Sequence, residues 1–240
     1  MAGGRSAAAR APTRGATPAA RAPQTLERLR ALHPDAHCEL VHRDAFELLV
    51  ATVLSAQSTD TMVNAVTPAL FARYPDAATL ARADVAEVER ALARLGMFRQ
   101  KARNVVGLAR GLVERHGGEV PRTLAALIEL PGVGRKTANV VLGVAFAAPE
   151  GVVVDTHVLR LAQRLGWTRQ RDPEGVERAL CRLLPRETWD VASHTLIFHG
   201  RRLCTAVKPA CAACPLSDGA CPSAFRAELV GRKPPRARAR

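Results

Sequence analysis

The chain lacks any long apolar run. Its longest, Val140 to Ala148 around Gly143, falls far short of the roughly 18 residues a membrane helix needs, which excludes a transmembrane protein and any membrane partner. It also lacks a repeat of fixed period and any collagen-like or low-complexity tract, so solenoids and fibres are excluded. Aromatic residues are sparse, at 4% of 240 residues, yet 48% of the chain is hydrophobic and 24% charged. That is the composition of a globular protein with a sizeable core. No secretory signal is visible, because the N-terminus has no apolar segment; a reducing compartment is implied, and the cysteines are not read as disulfides.

Acid is missing from one stretch in particular. Residues 1–23 carry four Arg and no acid, and residues 226–240 carry six basic residues against Glu228 alone. The span 24–225 holds 25 basic and 21 acidic residues, so most of the net charge of +13 sits at the two ends. Segments so rich in Ala, Pro, Gly and Arg cannot bury enough surface to fold, and both are expected to be disordered basic arms. Such arms attract a polyanion without reading a base. A general bias towards arginine, with 31 Arg against four Lys, would give part of the same signal. The N-terminal arm has the composition of an organelle transit peptide, but Pro12, Pro18 and Pro23 break the continuous amphipathic helix such a peptide forms. A cytoplasmic, nucleoid-associated protein is the expectation.

Between the arms the hydrophobic period is helical. Phe46, Leu49, Val50, Val53 and Leu54 follow Asp44, with Glu47 three residues on from it, the arrangement of a capping box at a helix start. Val105, Leu108, Ala109, Leu112 and Val113 repeat the spacing until Gly117-Gly118. Further helices are expected over Thr123–Leu130, Lys136–Phe146 and Thr188–Phe198. Only Val152–Val154 looks extended, too short for a sheet. The fold class is all-α.

Four of six cysteines, Cys204, Cys211, Cys214 and Cys221, fall within 18 residues as C-x6-C-x2-C-x6-C, while Cys38 and Cys181 read as ordinary small buried residues. Four thiolates in one short loop can surround zinc or an iron-sulfur cluster. Zinc ribbons usually show two C-x2-C knuckles and only one is present, so the spacing leans towards the cluster.

A second signal is Leu130-Pro131-Gly132-Val133-Gly134-Arg135-Lys136-Thr137-Ala138 between two helical segments. Two glycines, two apart, permit a tight turn with backbone N–H groups facing outward at a helix start, where an anion such as a DNA phosphate is favoured. Arg135 and Lys136 stand beside it. On its own this reads equally as a plain corner between helices.

The run Leu130 to Leu142, Asp155 in Val154-Asp155-Thr156-His157 placed 19 residues after Lys136, the four-cysteine loop, Leu54 to Asp60 and Leu95 to Phe98 occur in one order. Together they resemble the helix-hairpin-helix DNA glycosylases that carry a C-terminal iron-sulfur loop. The resemblance covers about residues 24–225. The last cysteine gap has six residues where that family commonly has five, with Gly219 inside it.

The resemblance implies two helical domains with the active-site cleft between them: a helical barrel over 38–149 ending in the hairpin, and a discontinuous cluster domain from 24–37 and 150–225. It implies Lys136 as the nucleophile that attacks the sugar, an amine role that Arg135 cannot fill, and Asp155 as its base or as the stabiliser of a cationic sugar. Asp155 equally suits a helix N-cap. The DNA-binding residues carried over are Gln57, Met97, Gly132, Val133, Gly134 and Arg135. Gln57 would fill the gap left by a flipped base and Met97 would wedge between bases; by composition alone they read as a surface polar residue and a core residue. His157 either lines the site or packs. The four Cys would hold a 4Fe-4S cluster ordering a loop with Arg201, Arg202 and Lys208. The expected partner is double-stranded DNA containing damaged bases or abasic sites, acted on by a monomer. The activity implied is that of a bifunctional glycosylase and lyase for oxidised pyrimidines; a monofunctional glycosylase for mispaired or alkylated bases and a non-enzymatic zinc DNA-binding protein are the alternatives.

Overall fold

A computed structural model describes residues 17–230, and these are helical with no strand among them. The chain divides into two compact units, one formed by Cys38–Glu150 and the other by the residues up to His37 together with those from Gly151 onward.

Within Cys38–Glu150 the organising element is α2 (Ala45–Leu54), of which nine residues are buried. A helix apolar on every side must be surrounded, and α2 packs against α3 (Asp60–Arg73), α6 (Phe98–His116) and α8 (Arg135–Phe146). Asp44 caps it through Glu47 N at 2.9 Å. The box does not close on Asp44, however, because the Glu47 carboxylate accepts from Arg43 N at 2.7 Å instead. Short α4 (Ala77–Ala81), α5 (Val85–Ala91) and α7 (Leu124–Ile128) complete this unit. Gly117, at φ +61°, ends α6 where the glycine pair requires.

The other unit joins α1 (Pro18–Leu32) to α9 (Thr156–Arg164), α10 (Pro173–Leu183) and α11 (Trp189–Arg202). Two expectations are corrected here. The first helix starts at Pro18 rather than near residue 24, because Thr17 caps it through Ala20 N at 3.3 Å and Pro18 suits the first helical position. Ala22, Leu26 and Leu29 then bury one face in the core. At the other end order extends past 226, since a 3-10 turn covers Ala227–Leu229 and Arg164 Nε donates to Val230 O at 3.0 Å. The rest of the two expected arms, residues 1–16 and 231–240, lies outside the described residues. Val152–Val154 is coil, buried in this unit's core, with Val153 N donating to Ser193 Oγ at 2.9 Å. Cys38 and Cys181 are half-buried against the cores of their respective units.

Candidate functional site

The hairpin between α7 and α8 is made by its backbone. Val133 N donates to Leu130 O at 3.1 Å, and Leu130 and Val133 both sink into the core. Gly132 sits at φ +78°, and a side chain there would also come within 2.9 Å of Asn104 on α6. Gly134 precedes α8 in extended conformation, and a Cβ on it would meet nothing. No contact inside the protein demands a glycine there, so the open face beside the first N–H groups of α8 is free to receive a phosphate. Arg135 and Lys136 are exposed on the first turn of α8. Val133 offers DNA neither its buried side chain nor its N–H, which is spent on Leu130 O.

Gln57 and Met97 stand in the same unit on two turns of equal strain, with φ of +53° and +56°. Only four non-glycine residues in the described chain share this region, which costs of order 1 kcal/mol for a residue with a side chain. Both are exposed, Met97 by 50%, so Met97 is not a core residue. Beneath them Lys101 is buried and donates from Nζ to Ser58 Oγ at 2.6 Å.

In the other unit Asp155 caps α9, its Oδ1 accepting from His157 N and Val158 N, each at 2.8 Å. Oδ2 has no protein donor among the described residues. His157 packs: its Nδ1 lies 3.1 Å from Arg160 Nη2, its ring abuts Gly200, and burial lowers its pKa.

The four loop cysteines line one cavity with Arg164, His199 and Leu216, all six thiols of the chain being free. Burial pushes the Cys221 thiol up to about 11 and raises Cys214 as well, so neither ionises near neutral pH unless a metal replaces the proton. Two buried arginines one turn apart, Arg160 and Arg164, lie beside the loop with no carboxylate among the described residues hydrogen-bonded to either. Arg160 donates to Gly200 O and Cys204 O. Arg164 donates to Thr205 O at 2.7 Å, Ala206 O at 2.9 Å and Cys204 Sγ at 3.3 Å. Arg160 Nε is buried without a partner. Buried cations need a counter-charge; Asp155 supplies part of it to Arg160 and four cluster-bound thiolates would supply more, whereas no three His, Cys, Asp or Glu among the described residues stand close enough to hold a single metal ion, so the lining suits a cluster rather than one ion. Gly219, at φ +112° with open space around it, ends the 3-10 turn Pro215–Asp218 inside the last cysteine gap. Of the basic residues expected to face phosphate, Arg201 and Lys208 are exposed, whereas Arg202 is engaged by Asp35 at 2.7 and 2.9 Å and stacks on Phe198. The resulting ion pair lowers the pKa of Asp35.

Sequence reasoning missed Arg160, Arg164, Lys101 and Asn104. The arginines are spaced i, i+4 on the apolar face of α9, which is a readable signal, but burial of a charge is not what composition predicts.

Helices meeting at a Leu-Pro-Gly-Val-Gly corner with an open face at the start of the second define a helix-hairpin-helix protein. The family described as HhH-GPD superfamily base excision DNA repair protein matches residues 50–186, and the chain belongs to it. It is 52% identical over 204 residues to Endonuclease III of Synechocystis sp. (strain ATCC 27184 / PCC 6803 / Kazusa), covering 85% of this chain and 93% of that one. To Endonuclease III of Bacillus subtilis (strain 168) it is 47% identical over 192 residues, 80% of this chain and 87% of the relative. Among solved structures, a trapped Endonuclease III–DNA covalent intermediate in an estranged-adenine complex superposes with a TM-score of 0.81 at 43% identity, over 88% of this chain and 97% of that one.

Proposed function

We propose that the protein is a bifunctional DNA glycosylase and abasic-site lyase that removes oxidised pyrimidines from double-stranded DNA in base excision repair. The observation that carries this reading is the exposed Lys136 amine on the first turn of α8, directly after a glycine corner whose face at the helix start is open. Backbone N–H groups of Gly132 and Gly134, with Arg135 beside them, anchor the strand, while Gln57 and Met97 fill and wedge the space of an extruded nucleotide, whose unstacking costs least at a damaged base. Lys136 Nζ, as the neutral amine, forms a bond to C1′ as the glycosidic bond breaks, and the base leaves with the bonding electrons and takes up a proton. Asp155, through its uncommitted Oδ2, accepts the proton from the amine or stabilises the cationic sugar. The C1′–O4′ bond then opens, O4′ taking up a proton, to give the Schiff base, and loss of a C2′ proton from it breaks the C3′–O bond, the phosphate leaving with the bonding electrons, so that the strand is cut 3′ to the lesion.

Cys204, Cys211, Cys214 and Cys221 would hold a 4Fe-4S cluster, which supplies cross-linking of the loop around four thiolates. The protein would act as a monomer in the cytoplasm; no helix among the described residues is long and apolar enough to cross a membrane. Borohydride trapping on abasic duplex tests the assignment. The full-length protein should give a covalent adduct, and Lys136→Ala should lose it while still binding DNA. Equal trapping by the variant would show that Lys136 is not the nucleophile. Efficient base release by the full-length protein without strand cleavage, on a panel of oxidised and mismatched duplexes, would instead favour the monofunctional activity.

A further inference from the structure

Lys101 is the one buried lysine among the described residues, at 3% exposure, and the mechanism above does not use it. Its Nζ donates to Ser58 Oγ at 2.6 Å across 43 residues of sequence, and no acidic side chain pairs with it. An ammonium buried without a carboxylate is a poor choice for filling space, since a methionine would pack there with no desolvation cost. What the amine achieves is a link between two turns. Ser58 follows Gln57, and the Lys101 backbone N–H donates to Met97 O at 3.0 Å. One residue therefore grips both loops whose exposed tips adopt left-handed backbone. Conformations of that kind persist only where the surroundings hold them. Burial also lowers the Lys101 pKa, in keeping with its withdrawal from solvent.

We infer that Lys101 is a positioning residue, which through its hydrogen bond to Ser58 fixes the Gln57 and Met97 turns relative to each other so that both side chains enter the duplex together. The inference rests on the role given above to Gln57 and Met97.

The test uses the full-length holoprotein in single-turnover excision from damaged duplex, beside cleavage of a preformed abasic site in single-stranded DNA, where no base has to be extruded. A 2-aminopurine opposite the lesion reports extrusion. Lys101→Met and Ser58→Ala should each slow duplex excision roughly tenfold, the worth of one buried hydrogen bond to a charged group. The double variant should be no slower than the slower single one, because both remove the same link. Ser58→Thr, which keeps the hydroxyl, should restore excision, and single-strand cleavage should hold throughout. Should Lys101→Met fail to fold, the Ser58→Ala and Ser58→Thr pair decides alone. If Gln57→Ala and Met97→Ala slow duplex excision while Ser58→Ala and Lys101→Met do not, the positioning role is wrong and the reading of the site survives. Normal duplex excision by Gln57→Ala and Met97→Ala would remove the wedge assignment itself, and this inference with it.

Discussion

The hairpin before α8 and the cysteine loop after α11 are both short corners beside a helix, yet they are held by different means. The hairpin closes on its own main chain, with one left-handed glycine, one turn hydrogen bond and two buried aliphatic anchors. The loop has only single 3-10 turns between Cys211 and Leu229. Its turns close on the main chain too, Cys221 N donating to Leu216 O at 2.9 Å, but side chains outside it tie those turns to the rest of the unit: Arg164 reaching four carbonyls and a sulfur, and Arg28 of α1 gripping Asp218 at 2.8 Å. A structure determined by backbone geometry survives the loss of a ligand. One suspended from side chains around a cavity needs its centre filled.

Removing the centre is therefore the largest perturbation expected. Anaerobically purified protein should contain about four iron and four sulfide per chain. Chelation should abolish hydrogen-exchange protection over 204–230, as structural metals contribute on the order of 10 kcal/mol, and leave the protection of α7 and α8 in place. Zinc without iron would overturn the cluster, and an unchanged loop after metal loss would break the contrast. Arg164→Met should come next, lowering stability by about 3 kcal/mol as several buried carbonyls lose their donor, with faster bleaching of the iron chromophore as the readout. In the hairpin, Gly132→Ala should cost about 2 kcal/mol from φ strain and the approach to Asn104, seen as a lower melting temperature. Gly134→Ala should shift stability by less than about 0.5 kcal/mol yet weaken binding to duplex DNA roughly tenfold, because its methyl occupies the face left for phosphate. If Gly134→Ala binds normally, that face is not where the strand lies. The smallest effect is expected from deleting residues 1–16 and 231–240, which carry eight basic residues and no acid. Binding should weaken alike for all sequences, with the salt slope falling by about 0.9 for each phosphate that is no longer neutralised; a changed lesion preference would show a more specific role.

The same contrast separates what could be read in the sequence from what could not. Elements set by local rules were legible: Asp44 capping α2, Gly117 ending α6, and the glycine corner before α8. The cysteine spacing was equally plain, since it is a pattern of one residue type. What escaped was set by tertiary contact. α1 reaches back to Pro18 because Ala22 and Leu26 have a core to enter, which outweighs the proline-rich composition around them. Arg160 and Arg164 look like surface cations until the carbonyls they satisfy are brought from 40 residues away. Met97 was the most misleading by composition, because an apolar side chain held outward by a left-handed backbone has no signature in residue type.

The distribution of lysine has a consequence of its own. Of the four, Lys101 is buried, Lys136 stands at the hairpin, Lys208 lies in the cysteine loop, and Lys233 falls outside the described residues. Aldehydes condense with amines and not with guanidinium groups, and a sugar that has lost its base is an aldehyde. A surface that draws its positive charge from arginine can hold such a strand firmly while offering it few places to become attached. Among the described residues only Lys136 and Lys208 expose a side-chain amine.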